Sequence, residues 1–315
     1  MTLLLIFTGP STDPFAKAFT KRTPERAIEI WPEHTSKPED IRYALAWNAP
    51  TGIFKQFPNL EILFSLGAGV DHLMRDPDLP ACPIVRYVAE DMTQRMTEYV
   101  VLHVLLHHRR LLDYQDFQRK KLWKGLRPQP AASDVRVGIL GLGELGSDAA
   151  QKLTLLGFQT AGWSRSEKKL DGIECFFGAS ELHVFLARTD ILVCLLPHTK
   201  DTEGFINRAL LRKLARDGVS SGPVLINAGR GPIQVEADIL AALEAGELHA
   251  ATLDVFESEP LAEMSPLWTH PRVVVTPHNA ADTDPQHVAR YVLDQIARHE
   301  GGAAVENVID RQRGY

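Results

Sequence analysis

The chain has 315 residues, which is enough for two domains of ordinary size. Lys and Arg number 34 against 40 Asp and Glu, a net charge of −6, so the chain lacks the basic surplus on which nucleic-acid binding depends. Apolar residues at 44% and charged residues at 23% are typical of a globular protein with a core.

Cysteine usage and the lengths of the apolar runs indicate the cellular compartment and exclude some classes of binding partner. Cys82, Cys175 and Cys194 are widely spaced and form no C-x-x-C pair, which argues against a disulfide framework and a zinc site. Residues 3–7 are too short for a secretion signal, and no window approaches eighteen uninterrupted apolar residues. We therefore expect a cytoplasmic protein that binds neither a membrane nor a metal.

The first part of the chain alternates short apolar runs with polar, Pro-rich connections. The apolar runs predict strands at residues 3–7, 44–47, 61–66 and 84–87. The helical spacing of apolar residues then predicts a long helix from residue 92 to about residue 112. This order is typical of an α/β domain with a parallel sheet.

A second unit begins after residues 127–134, where two prolines and small side chains suit a connection. A strand at residues 135–140, a helix to about residue 156 and a strand at residues 159–163 open this unit. The remaining predicted elements are four apolar strands and a last helix, at residues 191–196, 224–227, 249–253, 272–276 and 285–299. We predict a second, independent parallel sheet, with the long helix as the bridge to it.

The first turn of the second unit carries a dinucleotide-binding motif, Gly141-Leu-Gly143-Glu-Leu-Gly146. It follows a strand and opens a helix, the context that this motif requires. Gly141 allows the tight turn, Gly143 lets the backbone approach a pyrophosphate, and Gly146 lets the helix pack close to the strand. The helix N-terminus supplies N–H groups to the anion. Glu144 is out of place here, because a negative charge is unhelpful unless its side chain points away.

The end of the next strand indicates which dinucleotide binds. NAD enzymes place a carboxylate there to bind the ribose 2′-hydroxyl, but this strand ends with Ser164, Arg165 and Ser166. Two hydroxyls and a guanidinium suit a dianionic 2′-phosphate. The alternative is that Arg165 is an ordinary solvated surface residue that binds no phosphate. The position favours NADP over NAD.

Three polar residues follow three successive apolar strands: Arg230, Glu259 and His278. Loops beyond the carboxyl ends of parallel strands bind the ligands of such sheets, so these residues can converge on a nicotinamide. Taken singly, each has an ordinary structural explanation, and we assign the other eleven histidines to that class. The place of His278 in an ordered set with Arg230 and Glu259 sets it apart from the other histidines.

In this order and spacing, the three residues resemble the catalytic set of the D-isomer-specific 2-hydroxyacid dehydrogenase family, and the resemblance covers essentially the whole chain. Within that family the chain is most similar to the bacterial glyoxylate and hydroxypyruvate reductases. The motifs that carry the resemblance are Gly67-Ala-Gly-Val-Asp71, Trp163-Ser-Arg-Ser166, Leu196-Pro-His-Thr199, Ser265-Pro-Leu-Trp268 and Asp310-Arg-Gln-Arg-Gly-Tyr315.

The resemblance implies a fold and an assembly. It implies two Rossmann-like parallel-sheet α/β domains, with a nucleotide-binding domain at residues 101–282 inserted into a flavodoxin-like substrate domain at residues 1–100 and 283–315. The active site is then expected in the cleft between the domains, whose closure excludes water. Relatives pair through the nucleotide domain, so we expect a homodimer. Trp123 falls in the segment that relatives extend toward the partner, and simple packing is the alternative for this side chain.

The resemblance also implies residue roles. His278 donates the proton, Glu259 favours its protonated form, and Arg230 binds the substrate carboxylate and polarises the keto oxygen. Substrate binding further involves the backbone at Ala68, Gly69 and Val70; Trp47 either lines the substrate pocket or simply packs. The implied cofactor contacts, beyond the glycine turn, come from Glu144, Leu145, Ser164, Arg165, Ser166, Leu196, Pro197, Ala228 and Asp254.

The activity expected from these roles is the NADPH-dependent reduction of small 2-keto acids, glyoxylate to glycolate and hydroxypyruvate to D-glycerate. One alternative is an NAD-dependent 2-hydroxyacid dehydrogenase, such as a phosphoglycerate or D-lactate enzyme. Formate dehydrogenases are disfavoured, because they carry Gln where this chain has Glu259. A nucleotide-sensing binding protein like the C-terminal-binding corepressors is the alternative from a different class.

Overall fold

A computed structural model describes residues 1–9, 11–219 and 221–312. Residues 313–315 of the ending that contributes to the family resemblance lie outside the described part. The chain divides into two compact units. Unit 1 comprises Met1–Met92 and the chain from Asp282 onward, and unit 2 is Thr93–Ala281.

Strands and helices alternate along both units. In chain order the strands are β1 (Thr2–Phe7), β2 (Ile28–Ile30), β3 (Ile41–Trp47), β4 (Ile62–Ser65), β5 (Ile84–Arg86), β6 (Arg136–Leu140), β7 (Gln159–Ser164), β8 (Glu174–Phe177), β9 (Ile191–Cys194), β10 (Val224–Asn227), β11 (Ala250–Leu253) and β12 (Val273–Val275). The helices are α1 (Asp13–Arg22), α2 (Asp71–Met74), α3 (Glu90–His108), α4 (Leu111–Arg119), α5 (Glu144–Leu155), α6 (Gly178–Ala187), α7 (Arg208–Leu211), α8 (Glu236–Glu244) and α9 (Pro285–Glu300).

The sheet of unit 1 is parallel with strand order β2-β1-β3-β4-β5. This is the flavodoxin-like order, in which the chain reverses direction across the sheet between the first and third strands. Ligands of such sheets bind beyond the carboxyl ends of the strands at that reversal. Trp47, the last residue of β3, lies there, and its carbonyl accepts the N–H of Thr8 at 2.9 Å.

The sheet of unit 2 is also parallel, with strand order β12-β11-β10-β9-β6-β7-β8. Its order reverses between β6 and β9, as in doubly wound dinucleotide-binding folds. Leu140 at the end of β6 pairs with Cys194 at the end of β9. The glycine turn follows β6 directly, so the predicted fold class and the predicted position of the turn are both confirmed.

Most strands were readable from the sequence, including the edge strands β5 and β12, but the edge strands β2 and β8 were not. β1, β9, β10 and β11 are buried along their whole length, as in parallel sheets with helices on both faces. Such strands appear as continuous apolar runs. β2 is half-buried and β8 is exposed at both ends, so neither shows such a run, and the sequence analysis missed them.

The predicted long helix is two helices. α3 ends at His108, and α4 begins at Leu111 after Arg110, which has a left-handed backbone with φ of 56°. The apolar spacing continues through Leu111 and Leu112. Periodicity therefore could not show a break that depends on the backbone of one residue. The last predicted helix is confirmed as α9, whose first N–H groups are capped by the Asp284 carboxylate.

Candidate active site

The glycine turn after β6 has the geometry that a tight strand-to-helix turn requires. Gly141 has φ of +104°, which side chains rarely adopt, and a Cβ there would lie 2.9 Å from the Leu195 carbonyl oxygen. A Cβ on Gly146 would overlap the Gly141 carbonyl oxygen. The first and third glycines are therefore required by close contacts within the chain.

Gly143 is different, because the space beside it is open. Among the described residues, no atom lies within 4 Å of the position that its Cβ would occupy. Gly143 caps α5 with an ordinary extended backbone, φ −80° and ψ −167°. Glu144 begins the helix with an exposed side chain, so its carboxylate does not fill the turn. This open turn at a helix N-terminus fits the pyrophosphate of a dinucleotide.

The end of β7 presents Ser164, Arg165 and Ser166. Ser164 is buried, and its hydroxyl donates to the Ser166 carbonyl at 2.7 Å, which folds this corner back on itself. Arg165 and Ser166 are exposed. Lys168 and Lys169, which the sequence analysis did not consider, are exposed just beyond, so the corner carries several positive side chains.

The loop after β9 packs on the glycine turn, and the loop after β10 packs on the loop after β9. Leu196 is buried, and a Cβ on Gly229 would lie 2.8 Å from its carbonyl oxygen. Pro197 accepts the Thr202 hydroxyl at 2.7 Å, and the N–H of Ala228 donates to Cys194 at 3.2 Å. Unit 2 thus brings together the sequence-predicted cofactor residues of three successive loops.

A buried amide pair holds the loop that carries Arg230. The Asn227 side chain donates to Gln234 Oε1 at 2.8 Å and accepts the N–H of Gly229 at 3.1 Å. Gln234 donates in turn to the Val255 carbonyl at 2.9 Å. Both side chains are fully buried, and the sequence analysis gave neither a role. The one available signal was a polar residue ending the apolar strand β10.

Glu259 and His278 form a direct pair. His278 Nδ1 lies 2.7 Å from Glu259 Oε2, and Glu259 Oε1 accepts the N–H of Phe256 at 3.1 Å. Burial raises the pKa of the Glu259 carboxyl, but the hydrogen bond and charge of His278, with further help from Phe256 and the charge of Arg230, lower it overall. The charge of Arg230 thus acts in the same direction as His278 on the pKa of this carboxyl.

Asp254 lies beneath the histidine. It is 1% exposed, and its carboxylate accepts the N–H groups of Asn279 and Ala280, both at 3.0 Å. Its carbonyl accepts the N–H of His278 at 2.8 Å. In this structure Asp254 holds the loop that presents His278. No group of three or more His, Cys, Asp or Glu side chains that could hold a metal occurs in the described part of the chain.

In unit 1 the residues after β4 form a loop against the end of β3. A Cβ on Gly67 would lie 3.0 Å from Trp47 Cζ3, and the His72 ring lies 4.6 Å from the Trp47 ring. Within residues 1–9, 11–219 and 221–312, the N–H groups of Ala68, Gly69 and Val70 donate to no other group of the chain. The loop therefore offers a row of backbone donors.

His72, which the sequence analysis did not single out, joins this loop to β3. Its Nδ1 accepts the N–H of Asn48 at 3.1 Å, so Nε2 carries the hydrogen, 3.0 Å from Ser65 Oγ. The Ser65 hydroxyl donates to the Gly69 carbonyl at 3.3 Å. This chain of contacts ties the backbone of the loop to the strand end that carries Trp47.

Comparison with known proteins decides the family. The profile of the D-isomer specific 2-hydroxyacid dehydrogenase NAD binding domain matches residues 101–280, more than half of the chain. The chain belongs to the D-isomer specific 2-hydroxyacid dehydrogenase family. A curated relative, glyoxylate/hydroxypyruvate reductase A of Serratia proteamaculans, is 39% identical, with 99% of each chain covered.

Solved structures of family members agree with this assignment. An NADPH-dependent glyoxylate/hydroxypyruvate reductase from Sinorhizobium meliloti, in complex with NADP and sulfate, is 44% identical with a TM-score of 0.95, covering 100% of this chain and 99% of that one. A probable 2-hydroxyacid dehydrogenase from Rhizobium etli, in complex with NADP, HEPES and tartaric acid, is 42% identical with a TM-score of 0.94 and the same coverage.

The family resemblance seen in the sequence is therefore confirmed. In unit 2 of this family member, Arg230, Glu259 and His278 follow β10, β11 and β12 at the carboxyl edge of one sheet. Trp47, Ala68, Gly69 and Val70 belong to unit 1. Among the described residues, no helix is both long and apolar enough to cross a membrane.

Proposed function

We propose that this chain reduces glyoxylate to glycolate and hydroxypyruvate to D-glycerate, with NADPH as the hydride donor. The observation that carries the proposal is the 2.7 Å contact between His278 Nδ1 and Glu259, at the same sheet edge as Arg230, in a family whose similar members include an NADPH-dependent reductase of these keto acids. Hydride transfer to a carbonyl carbon leaves negative charge on oxygen, which needs a proton and a cation.

His278 is the proton donor in this proposal. An ionised carboxylate only accepts hydrogen bonds, so the contact with Glu259 places a hydrogen on Nδ1. Nε2 is then the nitrogen that gives its proton to the keto oxygen. Glu259 fixes the ring and stabilises its protonated state. The anchored loop beneath, held by Asp254, keeps the ring in this orientation.

Arg230 is proposed to bind the substrate carboxylate. Its guanidinium offers paired donors that match a carboxylate, and its charge polarises the adjacent keto oxygen. Its loop is fixed by the buried Asn227–Gln234 pair. The N–H groups of Ala68, Gly69 and Val70 are proposed as further donors to the same carboxylate, and Trp47 as an apolar contact for the substrate.

The residues of unit 2 fit the proposed cofactor. The open space beside Gly143 and the N-terminus of α5 suit the pyrophosphate, and Arg165 and Ser166 suit a 2′-phosphate. The remaining contacts are proposed for Glu144, Leu145, Ser164, Leu196, Pro197, Ala228 and Asp254. When bound, NADPH supplies the hydride. We propose residues 101–282 as the nucleotide-binding domain and residues 1–100 with 283–315 as the substrate domain.

Steady-state turnover tests this proposal. Purified protein is assayed with glyoxylate, hydroxypyruvate, pyruvate and 3-phosphohydroxypyruvate, each with NADPH and with NADH, while NADPH binding is measured separately. We expect the wild type to turn over the first two substrates with NADPH. In His278→Ala we expect the rate to fall by at least about 100-fold and the NADPH affinity to stay unchanged. Preference for NADH and another keto acid indicates a different dehydrogenase. NADPH binding without any turnover indicates a nucleotide-sensing protein.

A homodimer formed through unit 2 is part of the proposal. Trp123 is fully exposed in the single chain, and Leu102, Leu111 and Leu122 are 59%, 43% and 52% exposed. Large apolar side chains exposed within one short stretch are typical of an interface that another chain covers. A second copy is the occupant that the family resemblance implies.

We also propose that the protein works in the cytoplasm. All three cysteines are free thiols in the structure, and Cys194 is fully buried within β9. A reducing compartment keeps free thiols in this state. Immunodetection in fractionated cells tests the location, and recovery in a secreted or envelope fraction contradicts it.

A further inference from the structure

His278 has an unusual backbone conformation for the residue that carries the proposed proton. Its φ is +53°, in the left-handed region that only a few per cent of residues other than Gly occupy. Such a conformation persists only where the surrounding structure fixes it, and it sets the direction in which the ring points.

Asp254 fixes the loop from below, through four contacts. Its carbonyl accepts the N–H of His278, and its carboxylate accepts those of Asn279 and Ala280. The same carboxylate oxygen that binds Asn279 also accepts the Thr276 hydroxyl at 2.6 Å, the shortest of these contacts. The orientation of the carboxylate therefore depends on Thr276, which ends the strand-to-loop segment just before His278.

Tyr99 on helix α3 extends this chain of hydrogen bonds. Its hydroxyl lies 2.7 Å from Thr276 Oγ1, and the side chain is 9% exposed. Because the Thr276 hydroxyl donates to Asp254, Tyr99 must be the donor to Thr276. Burial and the nearby Asp254 charge raise the pKa of the Tyr99 phenol, which keeps it protonated for this role.

We propose that Tyr99 and Thr276 are positioning residues that orient the proton donor His278 through Asp254. The directed chain Tyr99 O–H to Thr276 O–H to Asp254 holds the carboxylate at the angle from which it binds the N–H groups of Asn279 and Ala280, the two residues that follow His278. Charge-assisted bonds to a carboxylate are stronger than neutral ones, so the chain rigidifies the loop. The role assigned to His278 rests on the proposed function; the anchoring of its loop does not.

The matched variants are Thr276→Val, Thr276→Ser and Tyr99→Phe. Valine has the shape of threonine without the hydroxyl, and serine restores the hydroxyl alone. Thr252→Val is the control, because the Thr252 hydroxyl is also buried and contacts the same helix, 2.8 Å from His107 Nε2. It lacks a bond to the Asp254 carboxylate. Removing the Thr252 hydroxyl therefore measures the effect of a lost buried hydroxyl on fold stability while the contacts of the Asp254 carboxylate stay intact.

Two readouts separate positioning from stability. The first is kcat, KM and NADPH affinity for a 2-keto acid that the wild type turns over. We expect Thr276→Val to lose about 10- to 100-fold in kcat and Tyr99→Phe about 3- to 10-fold, with NADPH affinity unchanged. Thr276→Ser and Thr252→Val should retain wild-type kcat. The second readout is hydrogen–deuterium exchange of the amides of residues 278–280. This exchange should be faster in Thr276→Val and unchanged in Thr276→Ser and Thr252→Val.

The exchange measurement does not depend on turnover. If the wild type reduces no 2-keto acid, the proposed function fails while the exchange rates still test the anchor. Wild-type exchange and kcat in Thr276→Val overturn the inference. A parallel loss of kcat in Thr276→Val and Thr252→Val, tracking the melting temperature, also overturns it, because the hydroxyl then stabilises the fold without positioning the histidine.

Discussion

At the scale of single residues, the protonation of Glu259 is the property on which the proposed proton transfer depends. Burial works to raise the pKa of this carboxyl, but the hydrogen bond from His278, the Phe256 N–H and the charge of Arg230 lower it. The carboxyl is therefore ionised throughout the neutral range. Its negative charge favours the protonated imidazole that the reduction needs.

Glu259→Gln keeps the shape of this side chain and removes its charge. His278 then loses the carboxylate that lies 2.7 Å from its Nδ1. Because a neighbouring carboxylate favours a charged partner, we expect the alkaline fall-off of kcat/KM to move to lower pH. Glu263→Gln, an exposed carboxylate in the same loop, controls for net charge and should leave the profile in place. An unmoved profile in Glu259→Gln contradicts the pairing.

Arg165 is the residue on which the cofactor preference rests. We expect Arg165→Ala to weaken NADPH binding about 10- to 100-fold, because a charge-assisted contact with the 2′-phosphate is lost. NADH has no 2′-phosphate, so its affinity should hardly change. Titration with both cofactors measures the two dissociation constants. Lys213→Ala, an exposed cation elsewhere in unit 2, should alter neither, and an equal loss for both cofactors in Arg165→Ala would reject the assignment.

At the scale of elements, two glycines of the β6–α5 turn have different roles. Gly146 is needed for packing within the chain, and Gly143 faces the open space proposed for the ligand. A Cβ on Gly146 would overlap the Gly141 carbonyl, so Gly146→Ala should cost about 1–3 kcal/mol of unfolding free energy. Gly143→Ala meets open space and an ordinary backbone, so stability should change by less than about 0.5 kcal/mol. NADPH binding should still weaken by at least about tenfold in Gly143→Ala. Denaturant unfolding and cofactor titration measure both, and normal NADPH affinity in Gly143→Ala would show that the pyrophosphate lies elsewhere.

Helix α3 carries a half-buried histidine, His107, whose Nε2 lies 2.8 Å from the Thr252 hydroxyl of β11. Burial, with smaller effects of His103 and His249, lowers the pKa of His107 to about 3. In the unfolded chain His107 therefore binds a proton near pH 6.5, whereas in the folded chain it stays neutral until the pH approaches 3. The free energy of unfolding should consequently fall as pH drops, by up to about 1.4 kcal/mol per pH unit between those values.

His107→Gln removes this titration and should flatten the dependence of unfolding free energy on pH between 6.5 and 4. Denaturant melts at several pH values provide the measurement. The matched control is His183→Gln on the exposed face of α6, which should leave the slope as in the wild type. An equal slope in wild type and His107→Gln would show that His107 is not the group responsible.

At the scale of the whole molecule, an acidic chain is proposed to bind two anions. With a net charge of −6, bulk attraction works against a 2′-phosphorylated dinucleotide and a keto-acid carboxylate. Binding must come from local donors: the guanidinium groups of Arg165 and Arg230, the N-terminus of α5, and the N–H groups of the Ala68–Val70 loop. These act at close range, where solvent and salt screen them least.

The proposed homodimer is the other property of the whole molecule that can be tested. Trp123→Ser removes a side chain that is fully exposed in the single chain, so the unit should still fold. If a second copy covers it, the dimer should weaken by about 30-fold, a value usual for a buried aromatic anchor. Light scattering across a concentration series gives the mass. Met264→Ser, equally exposed in unit 2, should leave the mass unchanged, and a wild-type monomer would reject the dimer.

The sequence by itself determined the fold class, the positions of the central strands along the chain, the glycine turn and the family. These features follow from contiguous residues: buried strands are continuous apolar runs, and a βα turn at a nucleotide site needs glycine at fixed offsets. The sequence also gave the catalytic candidates, because Arg230, Glu259 and His278 each follow an apolar strand, and parallel strands bring their carboxyl ends to one edge.

Only the tertiary structure decided which polar groups support those residues. Asn227 with Gln234, Tyr99 with Thr276 and Asp254, and His72 with Ser65 are pairs or chains whose members lie on different elements, so no spacing along the chain relates them. The break at Arg110 and the left-handed backbone of His278 also escaped prediction. A hydrogen bond depends on the distance and angle of two groups in space, and only the packing of the helices against the sheets fixes these.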